Sequence, residues 1–272
     1  MRPTVLILAG SRPGACDPVA QAEGVPHKAL ARVAGATLLE RVVGAARAFG
    51  APQVAVSADD PAVEADARRL GAVLLPMARG PSESVAAAFE RFGAPLLVTT
   101  ADHALLDARW LAALAQGAPG DADVALMMVR RELVEDAAPG APRTWLKLAD
   151  GQWAGCNLFY LASPAAARAA AIWSEVERER KRPWRVARRL GVGTWLDYML
   201  GRLTMAEAVA RLGRRIGVNA ALVAAPDGRA AIDVDRPEDL ALVRRLAGEG
   251  EAAPIERRRP AEPATTCTAS RS

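Results

Sequence analysis

Short apolar runs alternate along this chain with stretches whose apolar positions repeat at helical spacing. The first run, Val5-Leu6-Ile7-Leu8, has no polar interruption and is bounded by Pro3 and Gly10, the pattern of a strand covered on both faces. Further strands are predicted at Gln53 to Ser57, Val73 to Leu75, Leu96 to Thr99 and Asp123 to Arg130. The spacing between them predicts helices at about Leu38 to Phe49, Pro61 to Leu70, Ser82 to Phe92 and Leu105 to Gln116. Regular strand–helix alternation implies right-handed crossovers and an α/β fold with a doubly wound, mainly parallel sheet.

After Arg131 the rhythm changes. A Pro/Gly-rich stretch, Ala137 to Pro142, leads to Thr144 to Leu148 and Cys156 to Leu161, which read as later strands added antiparallel. From Pro164 to Leu212 the pattern is helical and strongly charged. A last strand is expected at Ala220 to Ala224. In Ile232-Asp233-Val234-Asp235, strand alternation would put both carboxylates on one face. Pro237-Glu238-Asp239-Leu240 has the proline and first-turn acids of a helix start. The organisation expected is one domain over residues 1–248, with a helical insertion at about 164–212, and a disordered tail over 249–272, rich in Pro, Glu, Arg and Thr.

Composition narrows the setting. With 272 residues, 51% of them hydrophobic, the chain can bury a full core. The formal charge of +4 suits anionic ligands, but arginine is spread throughout, so the sign reads as a compositional bias and not as a nucleic-acid surface. Cys16, Cys156 and Cys267 are odd in number and show no C-x-x-C pair, which speaks against a disulfide framework or a zinc site and for a reducing, cytoplasmic setting. No apolar stretch reaches membrane-spanning length, and the N-terminal run is too short for a signal peptide.

Three places carry candidate chemistry. The loop Gly10-Ser11-Arg12-Pro13-Gly14 lets backbone N–H groups approach an anion, and Arg12 and Lys28 would add charge there; an ordinary strand-to-helix turn with two solvated cations fits the same residues. In Leu96 to His103 an aliphatic strand runs out into Asp102, placed to hold Mg²⁺ or to cap the next helix. The pair Asp233 and Asp235 would be relieved of mutual repulsion by a cation. His27 and His103 flank the site as bystanders or hydrogen-bonding groups, and Cys156 reads as a small buried hydrophobe. The segment Arg178 to Trp184 is either a grip for a phosphorylated or lipid-bearing acceptor, with peripheral membrane contact, or a solvated helix face.

These motifs, in this order, resemble the MobA-like NTP transferase superfamily, nucleotidyltransferases of GT-A type fold. The family opens with L-A-[AG]-G-x-G-x-R, followed by P-K-x-L and G-x-[PT]-[LM]-[LI]; here stand Leu8-Ala9-Gly10-Ser11-Arg12-Pro13-Gly14, then His27-Lys28-Ala29-Leu30 and Gly35-Ala36-Thr37-Leu38-Leu39. Gly80 to Val85 resembles the base- and ribose-reading loop of the cytidylyltransferase branch, and Asp233 to Leu240 the closing D-x-P-E-D-L element. The chain departs from the family in a longer loop before Lys28, in His27 where a proline is usual, and in His103-Ala104 after Asp102.

The resemblance implies transfer of a nucleoside monophosphate from a nucleoside triphosphate, CTP or GTP, to a small phosphorylated acceptor. Lys28 and Arg12 would be the catalytic cations, on the α-phosphate and on the β- and γ-phosphates. Leu8, Ala9, Gly10, Ser11 and Gly14 would cradle the nucleotide, Ser82 and Ser84 would read the base, and Asp102 and Asp235 would hold Mg²⁺. Gly155 and Asn157 fall near the acceptor in related enzymes. Two alternatives stand beside this: a GT-A glycosyltransferase, which normally carries a D-x-D where this chain has Asp102 alone, and a non-catalytic nucleotide-binding module.

Overall fold

The computed structural model describes residues 2–11, 16–169 and 191–248. Strand β1 (Thr4–Ala9) lies inside an eight-stranded sheet, parallel to β4 (Val54–Ala58) on one side and to β6 (Leu96–Thr100) on the other. Strand β5 (Val73–Pro76) closes one edge beside β4. Beyond β6 come antiparallel β9 (Gly151–Leu161), then β7 (Val124–Arg130), then β10 (Ala220–Ala224) parallel to β7. Strand β8 (Leu146–Leu148) forms a hairpin with β9, and a small antiparallel pair, β2 (Arg32–Val33) and β3 (Ala36–Thr37), stands apart.

Helices cover both faces. Val5 and Ile7 point into a core completed by α2 (Leu38–Ala48), α3 (Pro61–Arg69) and α5 (Ala108–Gly117), while Leu6 points the other way onto Val85 and Phe89 of α4 (Pro81–Phe92). Val5, Leu6 and Ile7 are fully buried, as an unbroken aliphatic strand requires. Helices α2 and α3 start at side-chain caps that the sequence offers: the Thr37 hydroxyl accepts from Glu40 N, and Asp60 from Ala62 and Val63 N. Asp107 accepts from Arg109 N and starts α5 at Ala108, later than the predicted Leu105.

Two short helices were not evident in the pattern, α1 (Pro18–Glu23) and α6 (Arg131–Ala137). In the predicted insertion, α7 (Val192–Met199) and α8 (Met205–Ile216) are present, and α8 is opened by a reciprocal Thr204–Glu207 cap. Residues 170–190, with Arg178 to Trp184, lie outside the described residues, as does the predicted tail. One expectation is corrected: Ile232 to Asp235 is not a strand. A 3₁₀ turn, Gly228–Ala231, is capped by Asp227, and the chain then crosses the strand ends irregularly before α9 (Pro237–Leu246). Val234 N–H is spent on the Asp102 carbonyl at 3.1 Å, not on a ladder.

Candidate active site

The chain runs from β1 outward through β4 to β5, then returns to place β6 on the other side of β1. This reversal leaves a crevice beyond the carboxyl ends of β1 and β6, where open α/β sheets bind ligands. Gly10 and Ser11 leave β1 there, and Asp102 follows β6. Lys28 and Asp235 are brought in from two connecting segments.

Lys28 opens a 3₁₀ turn, Lys28–Leu30, that is fastened by its neighbour: His27 Nδ1 accepts from Ala29 N at 3.0 Å. Burial, partly opposed by Asp60, Asp17 and Asp59, lowers the His27 pKa, so the ring stays neutral and keeps the lone pair that makes this bond. The Lys28 side chain then reaches across the crevice. Its Nζ lies 2.6 Å from Asp102 Oδ2 and 3.0 Å from Asp235 Oδ1, and it donates to the Val234 carbonyl at 3.0 Å. An ammonium has three N–H donors, and all three are used.

Burial alone would raise the Asp102 carboxyl, but the charge and hydrogen bond of Lys28 outweigh it and hold the group below the usual carboxylate range. Burial likewise works against a charged Lys28, and Asp102 and Asp235 push its pKa up instead. Lys28 and Asp102 are therefore both charged at neutral pH. Asp102 Oδ1 is buried and without a hydrogen-bond partner, and α5 is capped by Asp107, so Asp102 does not serve as a helix cap. The two carboxylates at the crevice, Asp102 and Asp235, are hard-oxygen donors of the kind that suits Mg²⁺. Among the described residues no cluster of three or more His, Cys, Asp or Glu could hold a metal.

Asp233 takes a different partner set. Arg143 Nη1 reaches its Oδ1 at 2.6 Å and Asn157 Nδ2 donates to its Oδ2 at 2.8 Å. Asn157 has a left-handed backbone, φ +51°, at the register shift between β7 and β9. Such a bulge re-aims a side chain, here off the sheet and onto Asp233. Burial and the nearby Asp102 raise the Asp233 pKa to about 6 despite Arg143.

On the nucleotide side, Ser11 N–H donates to Asp59 Oδ1 at 3.1 Å, so a loop amide already holds a carboxylate oxygen. Met77 lies against Gly10; a Cβ there would fall 2.0 Å from its Sδ. Ser84 Oγ accepts from Ala78 N at 3.1 Å and fastens the Met77-to-Gly80 loop beside Gly10. Ser82 is buried in the first turn of α4. The Leu8 carbonyl accepts from Ala101 N at 2.9 Å and Ala9 pairs with Ala58, tying the strand ends together. Arg12 and Gly14 lie outside the described residues. His103 is buried against Trp110, and burial lowers its pKa to about 4, so it carries no charge. Cys156 is buried and its thiol is pushed up by that burial, as expected of a small hydrophobe. Asp59, Met77 and Arg143 carried no sequence signal: each acts through a contact between segments distant in the chain.

The model of the MobA-like NTP transferase domain matches residues 5–182. The chain belongs to that family. As a MobA-like NTP transferase it is a nucleotidyltransferase with the expected α/β fold, a mainly parallel sheet between helices. A hypothetical transferase from Thermus thermophilus is 33% identical, with a TM-score of 0.73 over 88% of this chain and 100% of that one. A nucleotidyl transferase from Methanothermobacter (17% identical, TM-score 0.56, covering 91% and 98%) shares the fold. So does CMP:2-keto-3-deoxy-manno-octonic acid synthetase complexed with CTP (18%, TM-score 0.55, 91% and 99%). Among curated proteins, none matches in sequence. No helix of the described residues is long and apolar enough to cross a membrane.

Proposed function

We propose that this MobA-like NTP transferase moves a nucleoside monophosphate from CTP or GTP to a small phosphorylated acceptor, with release of pyrophosphate, in the cytoplasm. The observation that carries this reading is Lys28 Nζ held between Asp102 and Asp235 at the sheet's reversal point, beside the Gly10 loop. A cytidylyltransferase and a CTP-bound synthetase among the structural neighbours favour CTP.

In the proposed reaction an acceptor phosphate oxygen attacks the α-phosphorus, the α–β phosphoanhydride bond breaks, and its electron pair leaves with pyrophosphate. The acceptor phosphate is already ionised at neutral pH, so no general base is needed. The work left to the protein is alignment and neutralisation of charge. Lys28 would turn from the acids to the α-phosphate, and Arg12 would meet the β- and γ-phosphates. The Ser11 amide would exchange the Asp59 carboxylate for a phosphate oxygen, the Gly10 and Gly14 amides would join it on the phosphates, and Leu8 and Ala9 fix where that loop begins. Ser84 holds the Met77-to-Gly80 loop, and that loop with Ser82 would face the base. Mg²⁺, held by Asp102 and Asp235, would add positive charge to the phosphates.

The test is pyrophosphate release with CTP, GTP, UTP and ATP in Mg²⁺ against a panel of phosphorylated acceptors. Turnover with one triphosphate, abolished by Lys28→Ala and by Asp102→Ala, is the expected result. Absence of both turnover and nucleotide binding would overturn the reading.

A further inference from the structure

Lys28 Nζ sits between the two carboxylates that would hold a metal ion, 2.6 Å from Asp102 Oδ2 and 3.0 Å from Asp235 Oδ1. Asp102 Oδ1 is shut behind the protein surface, which leaves Oδ2, the oxygen that Lys28 holds at 2.6 Å, as the carboxylate atom turned to the cleft. The other candidate ligand, Asp235, gives its Oδ1 to the same ammonium at 3.0 Å. Mg²⁺ binds oxygen at about 2.0–2.1 Å, within the volume that this ammonium fills. The two cations therefore compete for Asp102 Oδ2 by space, and a metal that also reached Asp235 would meet the charge of the ammonium held there.

From this competition we infer that Lys28 is the resident cation of the two-acid site, and that a divalent metal enters only together with a triphosphate, which draws Lys28 away. The second half rests on the nucleotidyl-transfer reading, because that reading names the anion.

Two features of the molecule fit such an exchange. All three donors of the ammonium are satisfied in the free protein by Asp102, Asp235 and the Val234 carbonyl, so nothing within the described residues draws it elsewhere. A polyphosphate offers what these partners offer, several anionic oxygens, at higher charge. The movement is also small in kind: a lysine head swings on a flexible four-carbon stem, while the His27-to-Ala29 hydrogen bond keeps the backbone turn in place. When the head leaves, Asp102 and Asp235 face each other without a counter-ion, and the incoming divalent cation meets that need. Metal and nucleotide then bind with positive coupling, each removing the obstacle to the other.

The experiment is a Mn²⁺ titration of the full chain, read from the electron paramagnetic resonance signal of free Mn²⁺, with no nucleotide present. Lys28→Met is expected to bind Mn²⁺ at least about tenfold more tightly than the wild-type protein, because a repelling unit charge within a few ångströms is gone. Lys28→Arg, which keeps a cation in place, should stay weak and guards against a gain that comes only from loosened packing. Lys28→Met/Asp102→Asn should lose the gain. Because CTP and GTP chelate Mn²⁺ themselves, the nucleotide arm is read by ultrafiltration: with CTP or GTP present, Mn²⁺ retained with the wild-type protein should rise above that retained without nucleotide. Wild-type protein that binds Mn²⁺ alone as tightly as Lys28→Met, or a Lys28→Met protein that melts cooperatively and gains nothing, would overturn the inference. A gain in Lys28→Met with no triphosphate recruiting Mn²⁺ to the wild type would uphold Lys28 as the resident cation and defeat the nucleotidyl-transfer reading instead.

Discussion

Lys28 and Asp102 meet at 2.6 Å with side chains only 19% and 12% exposed, so each is the counter-ion that lets the other be charged away from water. Removing one partner of such a pair leaves a buried charge and costs about 3–5 kcal/mol. Lys28→Ala should show that cost with a definite pH dependence. Without the ammonium, burial raises the Asp102 pKa above its unfolded value, so the folded variant holds a proton that the unfolded chain gives up. Stability then falls as pH rises. Urea denaturation at pH 5 and pH 8 should find the variant's deficit larger at pH 8; an equal deficit would mean that Asp102 is solvated in the variant.

Asp233 gives the same kind of test within the wild-type protein. Its carboxyl is raised to about 6, chiefly by burial and then by Asp102. Between the unfolded value near 3.8 and 6 the native state binds the extra proton, so this group's contribution is present at pH 4 and declines as pH climbs through 6. Measured against Asp233→Asn, wild-type stability should drop over that window. A constant difference would show that Arg143 and Asn157 neutralise Asp233 fully.

The close approach of Met77 to Gly10 predicts that Gly10→Ala weakens nucleotide binding more than it weakens the fold. A Cβ at 2.0 Å from a thioether sulfur pushes a flexible side chain, so the stability loss should be about 1 kcal/mol while the loop between the two segments shifts. Calorimetry on Gly10→Ala and on Gly10→Ala/Met77→Ala checks this: the second change should restore part of the lost triphosphate affinity. No recovery would place the damage in the loop backbone itself.

His27 holds the Lys28 turn through a neutral ring nitrogen. His27→Ala should cost about 0.5–2 kcal/mol, as loss of a cap does, and should lower kcat/KM by loosening Lys28. Asn can accept the same hydrogen bond, so His27→Asn should retain most of both. Equal loss in the two variants would assign His27 a packing role alone.

Much of this was readable from residues in order. The unbroken Val5 to Leu8 run, the capped amphipathic helices and the aspartate at the end of Leu96 to Thr100 report local physics, and local physics is what a sequence pattern carries. The order of Lys28, Asp102 and Asp235 pointed to one crevice because consecutive α/β units bring their strand ends to the same side. What pattern could not supply was contact across the chain. The alternation in Ile232 to Asp235 imitates a strand, yet Val234 N–H finds the Asp102 carbonyl, 132 residues away in sequence, and no neighbouring strand. Arg143 follows an unremarkable Pro/Gly stretch and earns its place only through Asp233. Helix α6 was hidden because that stretch, right after it, reads as loop throughout.

The most direct test of the central claim follows the α-phosphorus. With [α-³²P]CTP or GTP, Mg²⁺ and the acceptor panel, the label should pass to the acceptor while the pyrophosphate released stays unlabelled, and Lys28→Ala should abolish transfer. Label that stays on the free nucleotide while the γ-phosphate moves to the acceptor would contradict the account.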